Sequence, residues 1–459
     1  MSLTVDSPSP ARSGNHHRAP GDAAEAARIC AAWARSGGFD EYVVYERDHR
    51  WVFAAGVRAR IVLTASAVTV THDDVSVTTP WHTDPSAALA AALASLEIPD
   101  WRVYGWVVFD YSAAHHDLQR HVPDDAVLAQ LIVPEVEAHV DAAGIDTGDA
   151  DPAVASLLRE LAASAAAPGP ATPVAVDSDP DGYRGRVGAA VAEIGAGRYD
   201  KVILSRRVDI PFAVDLPATY ARGRAGNTPA RSFLLSLGSL AAAGFSPELV
   251  VAADSDGTVV TEPLAGTRAL GRSGDLDESA RAELLRDAKE ISEHAISVRA
   301  CVDEIASVAL PGTTVVSEFM AVRERGSVAH LASTVRGELA PDADAWRALA
   351  VLFPSITASG IPKARALDAI YRLEPDTRGL YSGAVLTASS AGDLEATLAL
   401  RTVFATDDGA WLRAGAGIVA QSTPEREFEE TCEKLASVAP FVVRRDRSAD
   451  QRCQRLSQQ

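Results

Sequence analysis

The sequence predicts an α+β fold, in which large antiparallel β-sheets pack together and helices lie on the outside. One observation is a hairpin: "LVVAADSDGTVVTE", residues 249–262, places two β-branched runs around an Asp-Gly turn. A second is residues 381–419, which read as three or four antiparallel strands in succession. A third is a small set of long helical stretches, at about 183–197, 278–309, 343–352 and 424–439. Meandering strands with few long helices favour α+β over a doubly wound sheet.

Five stretches follow one another along the chain. Residues 1–22 are polar and predict a disordered N-terminal arm. Residues 23–161 mix short strands with alanine-rich helices and form the N-terminal part of the fold. Residues 162–182 are rich in Ala, Pro and Asp and predict a loop. Residues 183–445 have no comparable break and predict one catalytic region, and residues 446–459 predict a flexible tail.

Composition bounds the class of protein. The 459 residues are 47% hydrophobic, enough for a large core, and carry a net charge of −19. An acidic chain of this kind lacks the electrostatic footprint for nucleic acid or an anionic membrane. No stretch is apolar for the roughly 18 residues that a membrane span needs, and the start lacks the apolar segment of a signal peptide. The four cysteines have no finger spacing and indicate free thiols, so we expect a cytoplasmic protein.

Two predicted helices carry a glutamate pair at matching positions. With about 100° per residue, two glutamates three residues apart lie on the same flank of each apolar stripe. The four are Glu290 and Glu293 on the first helix and Glu427 and Glu430 on the second. If the helices pack side by side, the carboxylates converge and repel one another unless a hard cation such as Mg²⁺ lies among them. The alternative is two solvated faces that never meet, which is how Glu429 and Glu433 on the other flank are interpreted.

A glycine-rich string lies just before the second of these helices. In "LRAGAGIVA", Gly415, Gly417 and Ala420 have the spacing of a dinucleotide-binding loop. That interpretation fails, because the fingerprint needs a helix to begin at the glycines, and the next helix begins only at about Pro424. We expect the glycines to turn the chain and offer N–H groups to a carboxylate oxygen; the alternative is a plain turn.

Five single residues have both a functional and a structural interpretation. Lys201 opens the strand "KVILS" and is either an inert surface lysine or a desolvated base. Glu248 is a turn carboxylate or a buried, protonated acid. His330 is either a structural histidine whose ring nitrogens are hydrogen-bonded within the protein, or a catalytic one. Arg401 interrupts an apolar strand, and a buried arginine needs a carboxylate partner from the protein or from a ligand. Tyr381 is either a core residue or directs its hydroxyl to the same anion.

Taken together, these strings resemble the chorismate-utilising enzymes, a family that includes anthranilate, aminodeoxychorismate, isochorismate and salicylate synthases. The matching blocks run in the family's order between about 200 and 445. They are "DKVILSRRV", "GFSPELV", "TEPLAGTRALGR", "KEISEHAISV", "ERGSVAHLASTVRG", "FPSITASGIPKARAL", "RGLYSGAV", "LALRT" and "WLRAGAGIVAQSTPEREFEETCEKL". The likeness is strongest with the stand-alone salicylate synthases of mycobactin-type siderophore pathways.

The resemblance implies a role for each site residue. Glu290, Glu293, Glu427 and Glu430 hold Mg²⁺ directly or through water, and the metal binds the ring carboxylate of chorismate. The implied catalytic residues are the general base Lys201, the general acid Glu248, and His330 near the reacting ring. The implied substrate-binding residues are Gly266 and Thr267 beside the ring, Tyr381 and Arg401 for the enolpyruvyl carboxylate, and Gly415, Gly417 and Lys434 as further donors.

By this resemblance the protein converts chorismate to isochorismate and then eliminates pyruvate to give salicylate, for a siderophore or another secondary metabolite. Lys201 favours water as the nucleophile, because anthranilate synthases typically have glutamine there. We expect no fused glutamine amidotransferase, and we expect a monomer. The alternatives are an isochorismate synthase that stops after hydration, an aminodeoxychorismate or anthranilate synthase component I, and a non-catalytic chorismate or Mg²⁺ binder.

Overall fold

The structure, a computed structural model, describes residues 20–270, 274–325 and 328–446. The predicted arm up to residue 19 and the predicted tail from residue 447 lie outside these residues. The first helix begins at Pro20, so residues 20–22 are helical and do not belong to the predicted disordered arm. Among the residues described, no helix is both long and apolar enough to span a bilayer.

Ten α-helices occur within the described ranges. They are α1 Pro20–Arg35, α2 Pro85–Ala94, α3 Pro152–Ala163, α4 Tyr183–Gly195, α5 Leu216–Gly226, α6 Gly274–Leu284, α7 Ala288–Ala306, α8 Ala345–Leu352, α9 Lys363–Leu373 and α10 Pro424–Leu435. Aspartate side chains accept backbone N–H groups at the starts of several helices, as N-caps do: Asp84 for α2, Asp151 for α3, Asp215 for α5 and Asp344 for α8.

The helix predicted over 278–309 is wrong as a single element, because α6 and α7 are separate. Asp287 lies between them, and its carboxylate accepts a hydrogen bond from the backbone N–H of Glu290 at 3.2 Å. That is the geometry of an N-cap, three residues before the N–H that it satisfies. The cap therefore begins a new helix, and Glu290 lies in its first turn.

The strands form two large antiparallel sheets. The strands are β1 Tyr42–Arg47, β2 Arg50–Ala55, β3 Ala59–Thr64, β4 Ala67–His72, β5 Val75–Pro80, β6 Arg102–Val107, β7 Val127–Val133, β8 Val136–Asp141, β9 Gly144–Asp146, β10 Lys201–Ile210, β11 Arg231–Leu237, β12 Leu240–Ser246, β13 Leu249–Ala253, β14 Thr258–Thr261, β15 Leu264–Ala269, β16 Val315–Arg325, β17 Val328–Glu338, β18 Gly360–Ile361, β19 Ala384–Ser389, β20 Leu394–Leu398, β21 Thr402–Thr406 and β22 Gly409–Ile418. The α+β prediction is confirmed.

In the part of the chain that the structure describes, the first sheet has ten strands in the order β18-β10-β22-β21-β12-β11-β1-β2-β8-β9. The second has twelve, in the order β15-β17-β14-β13-β20-β19-β6-β7-β3-β4-β5, with β16 paired to β17. Both sheets mix strands from the two halves of the chain: β1 pairs with β11, and β6 pairs with β19. Residues 164–182, between α3 and α4, contain neither helix nor strand.

The main core lies between the two sheets, and a second core lies between the first sheet and the outer helices. Strand β1 shows how one strand serves both. Val43 and Tyr45 belong to the inter-sheet core, whereas Tyr42 and Val44 belong to the core under α1 and α5. Because side chains alternate between the faces of a strand, a strand covered on both faces reads as a continuous apolar run, here "YVVY".

Two of the points where the chain crosses between the sheets are neighbours, and these two crossings position the site. Glu248 lies where β12 passes to β13, and Arg401 lies where β20 passes to β21. The crossings bond to each other: Leu398 N–H donates to the Glu248 carbonyl and Phe245 N–H to the Arg401 carbonyl, both at 3.1 Å. The prediction that Arg401 interrupts a strand is wrong, because it lies between strands with a left-handed φ of 51°.

Candidate active site

A cavity lies where the two crossings meet helices α7 and α10. Of the fourteen predicted site residues, twelve line it. The twelve are Lys201, Glu248, Gly266, Glu290, Glu293, His330, Tyr381, Arg401, Gly415, Gly417, Glu430 and Lys434. Of the other two, Glu427 is buried on α10 with 1% of its surface exposed, and Thr267 has a side chain outside the described part of the structure. Glu433, predicted on a solvated surface, also lines the cavity.

Glu290 and Glu293 of α7 and Glu430 of α10 line the same cavity, and a separate cation engages each of these three carboxylates. Glu293 accepts from Lys201 Nζ at 2.7 Å, Glu290 pairs with Arg268 at 3.3 Å, and Glu430 pairs with Lys434 at 2.8 Å. In the described ranges, no three His, Cys, Asp or Glu side chains are arranged as a metal site as they stand. The three cations thus balance charges that helical phase brings to one cavity.

The electrostatics of Glu290 shows that these carboxylates interact. Burial raises the pKa of Glu290, and the negative charges of Glu293 and Glu430 raise it further, while Arg268 opposes the shift. Glu293 lies on the same helix, but Glu430 lies on α10, so repulsion acts between the helices. The interpretation of two solvated faces that never meet is therefore wrong for these three residues.

Lys201 is buried, with 5% of its surface exposed, at the first position of β10. Close to it, Gly417 of β22 leaves the room that the pair Lys201–Glu293 occupies. A Cβ atom at Gly417 would lie 3.0 Å from Glu293 Oε1 and 3.3 Å from Lys201 Cε. The strand thus needs glycine at this point for packing rather than for backbone conformation.

The sequence predicts that the two glycines turn the chain, and this prediction is wrong. Gly415 and Gly417 lie inside β22, opposite Ser205 and Ile203 of β10. Pairing of β22 with β21 ends at Leu412. From there to the end of β22, the described strands leave its second edge without a partner, and such an edge presents N–H and C=O groups to a ligand.

Lys434 and Tyr381 lie against this edge. Lys434 Nζ donates to the Gly415 carbonyl at 2.9 Å and pairs with Glu430. Tyr381 is buried, and a Cβ at Gly415 would lie 3.0 Å from its hydroxyl oxygen. Burial raises the pKa of Tyr381, so its hydroxyl stays protonated and remains a hydrogen-bond donor.

Glu248 is a buried acid at the first crossing, with 3% of its surface exposed. Burial raises its pKa from 4.5 to about 7, although Ser355, Thr357 and Lys201 all act to lower it. Ser355 Oγ donates to Glu248 Oε1 at 2.6 Å, and Thr357 donates to the same oxygen. Glu248 is therefore a carboxyl that can hold or release a proton near neutral pH.

His330 links the two walls of the cavity. Its Nδ1 lies 2.8 Å from the Gly266 carbonyl oxygen, and its Nε2 lies 2.6 Å from Arg401 Nη2. A carbonyl only accepts and a guanidinium only donates, so the proton of the ring is on Nδ1 and the histidine is neutral. Both ring nitrogens are engaged, which fixes the orientation of Arg401.

Sequence reasoning missed several residues of the cavity and its surroundings. Arg268 pairs with Glu290, Arg426 and Arg413 line the cavity, and Ser355 and Thr357 contact the buried acid. A weak signal was present for the last two, because "SITAS" is rich in hydroxyl groups between two helices. Their partner lies more than a hundred residues away, so spacing did not point to it.

The profile of the family described as "chorismate binding enzyme" matches residues 40–440. The chain is 48% identical over 425 residues to the salicylate synthase of Mycolicibacterium paratuberculosis, covering 92% of this chain and 93% of that protein. It is 38% identical to anthranilate synthase component 1 of Streptomyces coelicolor, covering 65% and 62%.

Solved structures share the fold. Anthranilate synthase component I from Streptococcus pneumoniae superposes with a TM-score of 0.69 at 25% identity, over 85% of this chain and 92% of that one. A putative 2,3-dihydroxybenzoate-specific isochorismate synthase from Bacillus anthracis gives 0.67 at 23% identity, over 90% and 99%. The second likeness bears on the fold alone.

Proposed function

The chain belongs to the family of chorismate-binding enzymes, and on that premise we propose that it is a salicylate synthase, which converts chorismate to salicylate in one active site. The observation that carries the proposal is the combination of Lys201 and Glu248 on one cavity. A buried amine and a buried carboxyl with a pKa of about 7 are the groups that a hydration with loss of a hydroxyl requires.

The substrate is a dianion, and the cavity offers a cationic group for its enolpyruvyl carboxylate. Arg401 presents a planar donor whose orientation His330 fixes, and Tyr381 adds a neutral hydroxyl. His330 acts here by holding Arg401 rather than by transferring a proton. The free edge of β22 and Lys434 supply further donors. An acidic protein thus binds an anion through local donors, while its overall charge does not attract it.

Glu290, Glu293 and Glu430, with the buried Glu427, are the residues that would hold Mg²⁺. Their all-oxygen donor set fits the preference of this ion for carboxylates and water. The raised pKa of Glu290, caused by burial and then by its neighbouring carboxylates, indicates a repulsion that a divalent cation relieves. When bound, the ion supplies positive charge for the ring carboxylate of chorismate.

The first step is an exchange of hydroxyl groups. Lys201 Nζ takes a proton from a water molecule, whose oxygen forms a bond to ring carbon 2. The hydroxyl at carbon 4 leaves with a proton from Glu248, so one water enters and one leaves. The product is isochorismate. A positioned acid and base of this kind contribute roughly 10²–10⁴-fold each.

The second step needs no acid or base from the protein. The hydrogen on ring carbon 2 passes to the enolpyruvyl methylene while the ether bond at carbon 3 breaks, and the ring becomes aromatic. Pyruvate leaves and salicylate remains. The contribution of the protein is to hold the side chain in a reactive pose through Arg401 and Tyr381. Salicylate would then serve as a precursor for a siderophore.

The proposal is tested by incubating the protein with chorismate and Mg²⁺. Salicylate is measured by fluorescence and pyruvate by coupling to lactate dehydrogenase. We expect equal amounts of the two. Isochorismate that accumulates without pyruvate would assign the protein to hydration alone, and turnover that requires ammonia would assign it to the amino-transferring members of the family.

A further inference from the structure

The carboxyl of Glu248 is held by a pair of hydroxyl groups that the mechanism above does not use. Ser355 and Thr357 lie two residues apart in the loop between α8 and β18. Ser355 Oγ donates to Glu248 Oε1 at 2.6 Å, Thr357 Oγ1 also donates to Oε1, and the two hydroxyl oxygens are 2.8 Å apart. Both donors thus converge on one oxygen of the carboxyl.

The loop that carries these hydroxyls is fixed to the strand of the proposed base. Ile203 N–H, two residues beyond Lys201, donates to the Ser359 carbonyl at 2.8 Å. Ser359 Oγ in turn donates to the Ser355 carbonyl at 2.9 Å. The proposed base and the hydroxyls on the proposed acid are therefore built on one hydrogen-bonded unit, so their separation is fixed by the backbone.

Two hydroxyl donors on Oε1 have a consequence for the carboxyl. An oxygen that already accepts two hydrogen bonds is a poor place for the acidic proton, which is then carried by Oε2. The same two bonds stop the carboxyl from rotating. Of the pair, Thr357 lines the cavity together with Glu248, while Ser355 is buried behind it.

We propose, resting on the function proposed above, that Ser355 and Thr357 are positioning residues. They fix the Glu248 carboxyl through Oε1 and leave Oε2 as the atom that delivers the proton to the departing hydroxyl of the substrate. The hydroxyls touch neither substrate nor reacting atoms in this account, so their effect acts through Glu248 alone.

Charge around Glu248 fixes the sign of the effect. Burial raises its pKa most, the nearby carboxylate of Glu262 raises it, and Ser355, Thr357 and Lys201 lower it. Removing a hydroxyl that donates to the ionised form therefore raises the pKa. Glu248 is active when protonated, so activity falls as pH rises through this pKa. Loss of a hydroxyl shifts this alkaline limb to higher pH.

The test compares two threonines under the same substitution. Thr357→Val removes a hydroxyl that donates to the carboxyl of Glu248. Thr397→Val removes a buried hydroxyl that donates to the backbone carbonyl of Glu248 at 3.0 Å. That carbonyl also accepts from Leu398 N–H, so the control leaves it satisfied.

In Thr357→Val we expect the alkaline limb of isochorismate formation to move up by about one pH unit and kcat to fall about 10-fold. KM for chorismate should change less than about threefold, because the hydroxyl does not bind substrate. Ser355→Ala should act in the same direction, Thr357→Ser should restore the parent profile, and Thr397→Val should keep it. An unmoved limb in both Thr357→Val and the double variant Ser355→Ala/Thr357→Val would overturn the proposal.

A second measurement separates this inference from the proposed function. The infrared band of the protonated Glu248 carboxyl, assigned by difference from Glu248→Gln, is titrated with pH in protein without substrate. Its midpoint should rise in Thr357→Val and stay unchanged in Thr397→Val. If the parent protein makes no isochorismate, the proposed function fails, but this titration still decides whether the hydroxyls control Glu248. Equal midpoints in the two variants would refute the inference.

Discussion

Replacing Lys201 by alanine separates the two proposed steps. Lys201 is the buried amine that activates water, and no acid or base takes part in the pyruvate elimination. Loss of a positioned base costs roughly 10²–10⁴-fold in rate, equivalent to about 3–5 kcal/mol of barrier. We therefore expect Lys201→Ala to lose hydration of chorismate by that factor, and to make salicylate from supplied isochorismate within a few-fold of the parent rate.

The charge of Lys201 also matters, since its Nζ lies 2.7 Å from Glu293 Oε1. Lys201→Arg tests this separately: it keeps a cation beside Glu293 but cannot lose its proton near neutral pH. Both variants should lack hydration. Lys201→Ala should bind Mg²⁺ at least as tightly as the parent in calorimetry, because a cation that competes for Glu293 has been removed.

The assay runs each variant with chorismate and, separately, with isochorismate, and follows salicylate by fluorescence. Thermal unfolding of each variant checks that the fold persists. Hydration by Lys201→Arg near the parent rate would refute the assignment of the base. Equal loss of both steps in Lys201→Ala would refute the claim that elimination needs no base.

Three further predictions concern the carboxylates. Glu430→Gln should weaken Mg²⁺ binding at least ~10-fold in calorimetry, because it removes a charged oxygen ligand; unchanged affinity would exclude Glu430 from the metal site. Burial would raise the pKa of Glu374, but Arg378 and Arg413 hold this pKa below its usual range. Glu374→Gln should therefore lower the free energy of unfolding, measured with urea, by about 3–5 kcal/mol. A loss under ~1 kcal/mol would contradict a stabilising role for this carboxylate. Burial raises the pKa of Glu248 from 4.5 to about 7, so the folded parent loses stability as pH rises through this window. Relative to Glu248→Gln, its free energy of unfolding should fall by roughly 3 kcal/mol between pH 4.5 and 8, and a constant difference across that range would contradict the shift.

Local periodicity gave the part of the site that lies on helices. The i, i+3 spacing placed Glu290 and Glu293 on one flank of α7, and the structure brings both to the cavity. Along α10 the same arithmetic was right for Glu430, which lines the cavity, and for Glu433, which is exposed to solvent although it also lines the cavity. A helical phase fixes an angle about one axis, but what each flank meets depends on how the helices pack.

Residues at the sheet crossings were harder to predict, because sheet order is set by contacts between distant strands. Arg401 read as part of a strand, since "LALRT" is apolar on both sides, whereas the chain changes sheets there. The hydroxyls of Ser355 and Thr357 gain a role only through Glu248, more than a hundred residues earlier. Loop residues of this kind carry function without a periodic pattern to reveal them.

The origin of the phenolic oxygen of salicylate decides whether solvent water attacks the ring. The protein is incubated with chorismate and Mg²⁺ in water enriched in ¹⁸O, and salicylate is analysed by mass spectrometry. If Lys201 activates solvent water for attack at ring carbon 2, each salicylate carries one ¹⁸O atom at its hydroxyl group, and pyruvate forms in equal amount. Salicylate without the label, or isochorismate as the final product, would contradict the account.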